Sequence, residues 1–156
     1  MNTEINAIIN SMQEVLSGGP WYGKSVLEML NQINNDVIYK KPNDNSHSLI
    51  EILYHMVTWA EFAQHRLERD RDTDMTALEA LDWRETNPEI HTWNNGISQF
   101  TAATNKTIEI LKDSSDDILE EKVDFREYNF RYLLNGVIQH NIYHIGQIAY
   151  LNKLLS

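Results

Sequence analysis

Apolar side chains recur every three or four residues along most of this 156-residue chain, and few residues interrupt that rhythm. Only six glycines and three prolines are present. The stretches between them carry this helical periodicity rather than the strict apolar–polar alternation of a half-buried strand. Spacings of three and four place apolar side chains on one face of an α-helix. The sequence therefore predicts an all-α fold.

The first helical arm is predicted in two pieces. The first piece covers residues 3–16 and stops at the Ser-Gly-Gly-Pro break of residues 17–20. Helix resumes at Ser25, which stands three residues before Glu28 at the spacing of a capping box. The apolar face then continues to Ile33. We therefore expect an interrupted first helix.

Three longer helices follow the first arm. Ser48 and Glu51 have capping-box spacing at the start of the second of the four helices. Residues 70–90 form a long connector, with at most one short turn at residues 76–81. The predicted bounds of the three helices are roughly 48–69, 91–112 and 129–153.

Four amphipathic segments of about 20 residues, each ~30 Å long, are what a four-helix bundle needs. The connector between the second and third helices is longer than a tight hairpin requires, so it can cross the bundle and leave those two helices parallel. We expect one four-helix bundle domain over residues 1–156, with up-down-down-up topology, an interrupted first helix and this long connector.

Charge and cysteine content limit the function. Thirteen basic against 23 acidic residues give a net charge of −10, which disfavours binding to nucleic acid or to an anionic membrane. No cysteine is present, so any metal site must use His, Asp or Glu. The N-terminal residues lack the basic start and apolar stretch of a secretory signal, and we expect a cytoplasmic protein.

Three histidines are candidates for a shared site. His140 and His144 are four residues apart in the fourth helix, so both rings leave the same face and can bind one ion. On a helical wheel they fall at the edge of the buried stripe, and His55 has mostly apolar neighbours in the second helix. His55 lies ~12 Å from the start of its helix and His144 ~14 Å from the end of its own. Antiparallel packing would bring them level.

Three neutral imidazoles on a divalent ion leave a coordination position for water or substrate, as in a catalytic site. Glu51, one turn before His55, is a candidate to orient that ring. The alternative is that each histidine is a half-buried residue at the edge of the bundle. Composition and spacing leave these two interpretations balanced.

Three segments resemble motifs of the DinB/YfiT superfamily. Residues 140–148 read HNIYHIGQI, similar to the last-helix signature in which an HxxxH pair runs into Gly-Gln-Ile. Residues 47–56 read HSLIEILYHM and resemble the second-helix motif that ends in the remaining histidine. Residues 19–25 read GPWYGKS and resemble an N-terminal motif of part of that group. The resemblance spans nearly the whole chain in the right order.

The resemblance implies a four-helix bundle whose divalent metal site is carried by His55, His140 and His144. In such relatives the metal serves transfer or isomerisation reactions that use a low-molecular-weight thiol, such as bacillithiol or mycothiol, and other members are only candidate hydrolases. We expect zinc or nickel, with iron or manganese also suited to imidazole ligands, and a small-molecule substrate. The alternative is a non-catalytic metal-binding or stress-response protein with a structural or sensing ion.

The remaining histidines rank below these three. His47 opens the second helix, where a histidine more often caps the helix or contacts solvent. On the helical wheel His65 points away from the side of His55, and His91 is expected in a solvated loop.

A second face of the fourth helix carries three tyrosines within about 20° of one another on the wheel: Tyr132, Tyr143 and Tyr150. A helix with aromatic side chains outside its core stripe is seldom left half in water. Tyrosine is enriched at protein interfaces, and the nearby Gly136 would let another helix approach closely. These residues suggest a homodimer, with packing inside the chain or plain exposure as the alternatives.

Overall fold

The computed structural model describes residues 2–70 and 72–156, and Met1 and Arg71, which belong to the predicted domain and connector, lie outside the described residues. The described residues form α-helices and no strands, as predicted. Four of the helices are long and two are short. Short 3-10 turns cover Asn35–Val37 and Asp116–Glu120. The helices are α1 (Thr3–Ser17), α2 (Val26–Leu30), α3 (Leu49–Leu67), α4 (Met75–Ala80), α5 (Trp93–Lys112) and α6 (Phe130–Leu155).

The interrupted first arm is confirmed as α1 and the short α2. Ser25 caps α2, because its side chain accepts a hydrogen bond from the Glu28 N–H. Gly18 ends α1 where a Cβ atom would lie 2.8 Å from the backbone of Glu14, so a larger residue would not fit without a shift. The break at residues 17–20 is therefore fixed by close backbone packing as well as by Pro20.

The capping box predicted at the start of α3 is also confirmed. Ser48 accepts from the Glu51 N–H through its hydroxyl, and the Glu51 carboxylate accepts from the Ser48 N–H at 2.7 Å. This reciprocal pair satisfies two backbone donors that the first turn leaves free. Because α3 begins at a fixed residue, the distance of every side chain from the start of the helix is fixed too.

Side-chain contacts show the predicted up-down-down-up topology. Near their N-termini, Glu4 of α1 and Arg131 of α6 form an ion pair at 2.5 Å, so these helices are parallel. Tyr54, early in α3, donates to the carbonyl of Thr92, the residue that caps the start of α5, so α3 and α5 are parallel. His55 contacts both His140 and His144, while Trp59, one turn later, lines a small cavity with Leu133 and other residues earlier in α6. The α3 and α6 helices are therefore antiparallel.

The packed helices share an apolar core in two adjoining clusters. One cluster joins the end of α1 and the first half of α3 to the C-terminal half of α6. The other joins the start of α1 and the end of α3 to the N-terminal half of α6. In α3 most side chains are buried, which makes it the central helix of the bundle. Its polar residues are therefore held in fixed positions by apolar neighbours.

The predicted tyrosine face of α6 lies on the surface. Tyr132, Tyr143 and Tyr150 are 68%, 64% and 72% exposed, so packing inside this chain does not account for them. Within the described part of the chain, no helix is both long and apolar enough to span a bilayer.

Gly96 marks a close approach of α5 to α3, and this contact is testable. A Cβ atom on Gly96 would lie 2.6 Å from the buried Leu53 side chain and 3.1 Å from the Tyr54 ring. We expect Gly96→Ala to destabilise the protein by about 1 kcal/mol or more, because overpacking exceeds the gain in helix propensity. Gly136→Ala in α6 has no atom of the same chain within 4 Å of the new Cβ and should stabilise the monomer by about 0.5–1 kcal/mol. Urea unfolding measures both, and stabilisation by both variants would contradict this packing.

Candidate metal centre

Three imidazoles meet between α3 and α6. The Nε2 atom of His55 lies 3.0 Å from Nε2 of His144 and 2.9 Å from Nε2 of His140. His55 and His144 are 6% and 5% exposed, and His140 is partly buried. The structure thus brings together all three histidines singled out in the sequence.

The helices position these rings without any special backbone geometry. His140 and His144 stand one turn apart in α6 and project toward α3 from the edge of the core stripe. His55 stands in the second turn of α3 and reaches the level of both rings because α3 and α6 are antiparallel. The predicted match in height is therefore confirmed by the packing.

A carboxylate holds the far side of the His55 ring. Asp82 Oδ1 lies 2.5 Å from His55 Nδ1, although it is displaced from the direction of an aligned hydrogen bond. The same oxygen accepts a hydrogen bond from the indole N–H of Trp59 at 2.7 Å. Next to a carboxylate, Nδ1 is the nitrogen that keeps the proton. The lone pair of His55 is then at Nε2, toward the other two rings.

Gln147 fixes the position of the proton on His144 in the same way. The Nδ1–H of His144 donates to Gln147 Oε1 at 2.6 Å, and an amide oxygen can only accept. His144 therefore also directs an Nε2 lone pair into the cluster. His140 has no such partner among the described residues, since its Nδ1 is buried without a hydrogen bond.

All three rings are kept neutral. Burial lowers the pKa of His55 despite the opposing effect of Asp82, and burial lowers the pKa of His144 despite its hydrogen bond to Gln147. Burial, with the charges that His144 and His55 would carry, lowers the pKa of His140 to about 3. Protonation therefore cannot readily relieve the crowding of these nitrogens near neutral pH.

These features fit a shared divalent ion. With the proton of each ring at Nδ1, the Nε2 atoms of His55 and His144 face each other at 3.0 Å with no hydrogen between them. Two nitrogens that bind one ion at ~2.0–2.1 Å lie about 3 Å apart or slightly more. The two Nε2 lone pairs repel each other, and a cation bound between them would accept both. The donor set, three imidazole nitrogens, suits zinc and the neighbouring transition metals.

Trp83 covers the cluster from the connector between α4 and α5. Its indole lies between two imidazoles, with ring centroids 3.8 Å from His47 and 3.8 Å from His55, and both stacks are nearly parallel. The next residue, Arg84, ties this segment to α3 by donating to the Thr58 hydroxyl at 2.6 Å. Three consecutive connector residues thus fix and cover His55.

The sequence did not point to these connector residues, and the role of orienting His55 was assigned to the wrong residue. Glu51 does not orient His55, since its carboxylate is engaged by the Ser48 cap and by Lys41 at 2.9 Å. The residue in that position is Asp82. In the sequence, Asp82 is marked only by its position next to a tryptophan in the connector. Helical periodicity does not indicate where the side chains of such a connector point.

The remaining three histidines lie outside the ring cluster, as the sequence indicated, although His47 comes near it. His47 reaches the site through its stack on Trp83 but stays outside the ring cluster. His91 accepts from the Asn87 N–H and closes a loop before α5. His65 lies with Glu68 and Asp70 in a second group of potential ligands, but the Asp70 carboxylate already accepts from Thr73 and from the Asp72 N–H. We assign no ion there.

A cleft of about 610 Å³ opens beside the cluster at His144. This volume lies within the usual ~300–1,000 Å³ of small-molecule sites. Most of its surface is apolar or aromatic, and the segment that precedes α3 and the end of α6 form most of its walls. The described residues that line it are Pro42, Asn43, Ser46, His47, Ile52, Trp83, Tyr143, His144, Gln147, Tyr150, Leu151 and Leu154.

A comparison with protein families gives one match that bears on this site. A family model described as the DinB superfamily matches residues 23–148, a span that contains all three clustered histidines. A search of curated proteins found no match to the chain.

The lowered pKa of His140 predicts how the metal-free protein responds to acid. Because the folded state holds this pKa near 3 while the unfolded chain has a value near 6.5, the unfolded state binds more protons below about pH 6.5. Stability should therefore fall as the pH drops from 6.5 toward 4, and fall less steeply in His140→Gln. Urea unfolding in the presence of a chelator measures this difference. Identical pH slopes for the two proteins would contradict the neutral buried ring.

Proposed function

The chain belongs to the DinB superfamily, and from this membership and the geometry of the site we propose that it is a divalent-metal-dependent enzyme acting on a small molecule. In this proposal His55, His140 and His144 bind the ion. The reaction is a transfer or hydrolysis in which a water or a thiol is activated.

The observation that carries the proposal is the meeting of three neutral imidazoles beside an open cleft that His144 lines. A structural ion in a closed site is normally surrounded by four protein ligands. Here three candidate ligands converge, and His144 itself lines the cleft. The remaining coordination positions are then open to a ligand that enters from the cleft, which favours a catalytic role.

The neighbouring residues have distinct tasks in this proposal. Asp82 and Gln147 hold protons at the Nδ1 atoms of His55 and His144, so that both Nε2 lone pairs face the ion. Trp83 covers the His55 ring and limits water around it. A bound divalent ion supplies Lewis acidity, which stabilises the deprotonated form of a water or thiol and polarises an electron-rich substrate atom.

We propose zinc or nickel as the ion, with iron or manganese as the next candidates. Imidazole nitrogen suits all four, and in cells the choice follows geometry and availability as much as intrinsic affinity. The competing proposal is a non-catalytic metal-binding or stress-response protein, in which the ion is structural or is sensed.

We also propose that the tyrosine face of α6 forms a homodimer. Tyr132, Gly136, Gln139, Tyr143, Gly146 and Tyr150 repeat at alternating spacings of four and three, and the two glycines have open space above them. Their numbers pair symmetrically about residue 141, so two antiparallel copies of α6 would set Tyr132 against Tyr150, Gly136 against Gly146 and Gln139 against Tyr143. Such a self-complementary stripe is what a two-fold interface requires.

The metal proposal is tested by removing one ligand. His144→Ala should lose the bound ion while the helical circular dichroism stays intact, because the apolar core does not depend on the site. His91→Ala, a histidine outside the cluster, is the matched control and should retain the ion. Elemental analysis of the purified proteins measures occupancy, and full occupancy in His144→Ala would contradict the three-histidine site.

Chelation then separates the enzyme from the structural alternative. An enzyme should lose thiol-transfer or hydrolytic activity, tested with bacillithiol and glutathione as thiol donors, and keep its fold. A structural ion predicts loss of helical structure on the same treatment.

The dimer is tested by sedimentation at micromolar concentration. Tyr143→Glu should shift the protein to the monomer, since it places two carboxylates in the stripe, whereas Tyr22→Glu, an exposed tyrosine outside α6, should not. A monomer at all concentrations, or a dimer unaffected by Tyr143→Glu, would contradict this interface.

A further inference from the structure

A second pocket, of about 490 Å³, lies at the end of α3 and shares no lining residue with the histidine cluster or its cleft. The end of α3, the start of α4 and the segment that precedes α6 form its walls. Its volume lies within the usual range of small-molecule sites. The proposed function makes no use of this pocket, so its lining needs an explanation of its own.

Arg66, near the C-terminus of α3, lines this pocket although it is only 3% exposed. Among the described residues no other arginine or lysine, and no aspartate or glutamate, is buried to this degree. Its Nε atom is buried without a hydrogen bond, and none of the described carboxylates forms an ion pair with the guanidinium. Two aromatic rings contact the charge instead, with the guanidinium carbon 5.7 Å from the centroid of Phe62 and 5.6 Å from that of Phe125. Ring contacts offset only part of the cost of burying a cation, so this guanidinium still has N–H donors to offer to a ligand.

Phe125 holds its ring over Arg66 in an unfavourable backbone conformation. Its φ angle is 61°, in the left-handed region that a bulky side chain rarely occupies. The residue is also 84% exposed, so burial in the core does not compensate for this conformation. Strained residues of this kind cluster at functional sites. The Phe125 ring forms an apolar wall of the pocket beside the guanidinium.

The other charged side chains of the lining differ in how far the protein engages them. Arg126 forms an ion pair with Glu79. The Asp70 carboxylate accepts from the Thr73 N–H, from the Thr73 hydroxyl and from one more backbone N–H. Asp74 uses one oxygen, Oδ1, to cap α4 at 3.1 Å, and its other oxygen has no hydrogen-bond partner among the described residues. Arg66 and Asp74 are therefore the positive and the negative group most open to a ligand.

The lining as a whole has mixed charge, with Arg66 and Arg126 facing Asp70, Asp74 and Glu79. A ligand with a single charge would be attracted by some of these groups and repelled by the others. A ligand that carries both signs can place each of its charges next to an opposite one. The planar fork of a guanidinium matches a carboxylate in particular, because it can donate two parallel N–H···O bonds.

We propose that this pocket binds an amino acid, or a similar small zwitterion, whose carboxylate accepts hydrogen bonds from Arg66. Its ammonium group pairs with Asp74, and its apolar side chain lies against Phe125 and Met75. The pocket and the histidine cluster have no residue in common, so this inference does not rest on the proposed function.

The test compares three probes that share a phenylethyl group. They are L-phenylalanine, 3-phenylpropanoate, which lacks the ammonium group, and 2-phenylethylammonium, which lacks the carboxylate. Each is titrated into the full-length protein at neutral pH by isothermal calorimetry. We expect L-phenylalanine to bind about tenfold or more tightly than either analogue, because it alone satisfies both charges. Failure of L-phenylalanine to bind at millimolar concentration, or equally tight binding of either analogue, would overturn the proposal.

Substitutions then locate the binding. Arg66→Met removes the buried charge but keeps a flexible, unbranched side chain, and it should weaken the binding of L-phenylalanine about tenfold or more. Arg69→Met is the matched control, since it removes an arginine just beyond α3 that pairs with Glu121 outside the pocket, and it should leave the affinity unchanged. Equal effects of the two substitutions would show that L-phenylalanine binds elsewhere and would overturn the assignment.

Asp74→Asn tests the ammonium contact without removing the cap of α4, since asparagine also caps helices. It should weaken the binding of L-phenylalanine about threefold and should not weaken that of 3-phenylpropanoate, which has no ammonium group. An equal loss for both probes, or no loss for either, would overturn the assignment of a zwitterion. This variant keeps the buried arginine, so the test holds even if circular dichroism shows that Arg66→Met does not fold.

Discussion

The site depends on the antiparallel packing of α3 against α6. That packing places His55 at the height of His140 and His144, and it buries the three rings enough to keep them neutral. Neutral rings that meet through their Nε2 atoms form a donor set for a cation, whereas charged rings would repel both one another and the ion. A slip of α3 by one turn, about 5.4 Å, would separate the donors. The close contact at Gly96 opposes a slip of α3 along α5, and the capping box at Ser48 fixes the residue at which α3 begins.

The connector between α4 and α5 supplies the residues that orient and cover His55 between α3 and α6. Asp82, Trp83 and Arg84 respectively contact the outer nitrogen of His55, cover its ring and tie the segment to α3. Because α3 and α5 are parallel, the chain must return along the bundle between them, and this return path passes the site. The topology therefore supplies the orienting residues as a consequence of its long crossover.

Membership of the superfamily leaves the reaction at this site open. Family membership and the three histidines support a metal site, but they apply equally to thiol transfer and to hydrolysis. The apolar and aromatic side chains of the cleft lie next to the cluster. If α6 also pairs with a second copy, Tyr143 and Tyr150 would stand at both the interface and the cleft.

The sequence by itself determined the helices, their capping residues and the three candidate ligands, because periodicity, capping boxes and an HxxxH pair are local patterns. It also predicted the topology, since the connector is too long for a hairpin. Only the tertiary structure decided which carboxylate faces His55. Glu51 was the local candidate, but its own helix cap engages it, and Asp82 reaches the ring from 27 residues away in sequence. Contacts made by an irregular connector depend on how the chain returns over the bundle, and no local pattern encodes that path. For the same reason the cleft, formed between the segment that precedes α3 and the end of α6, exists only in the folded chain.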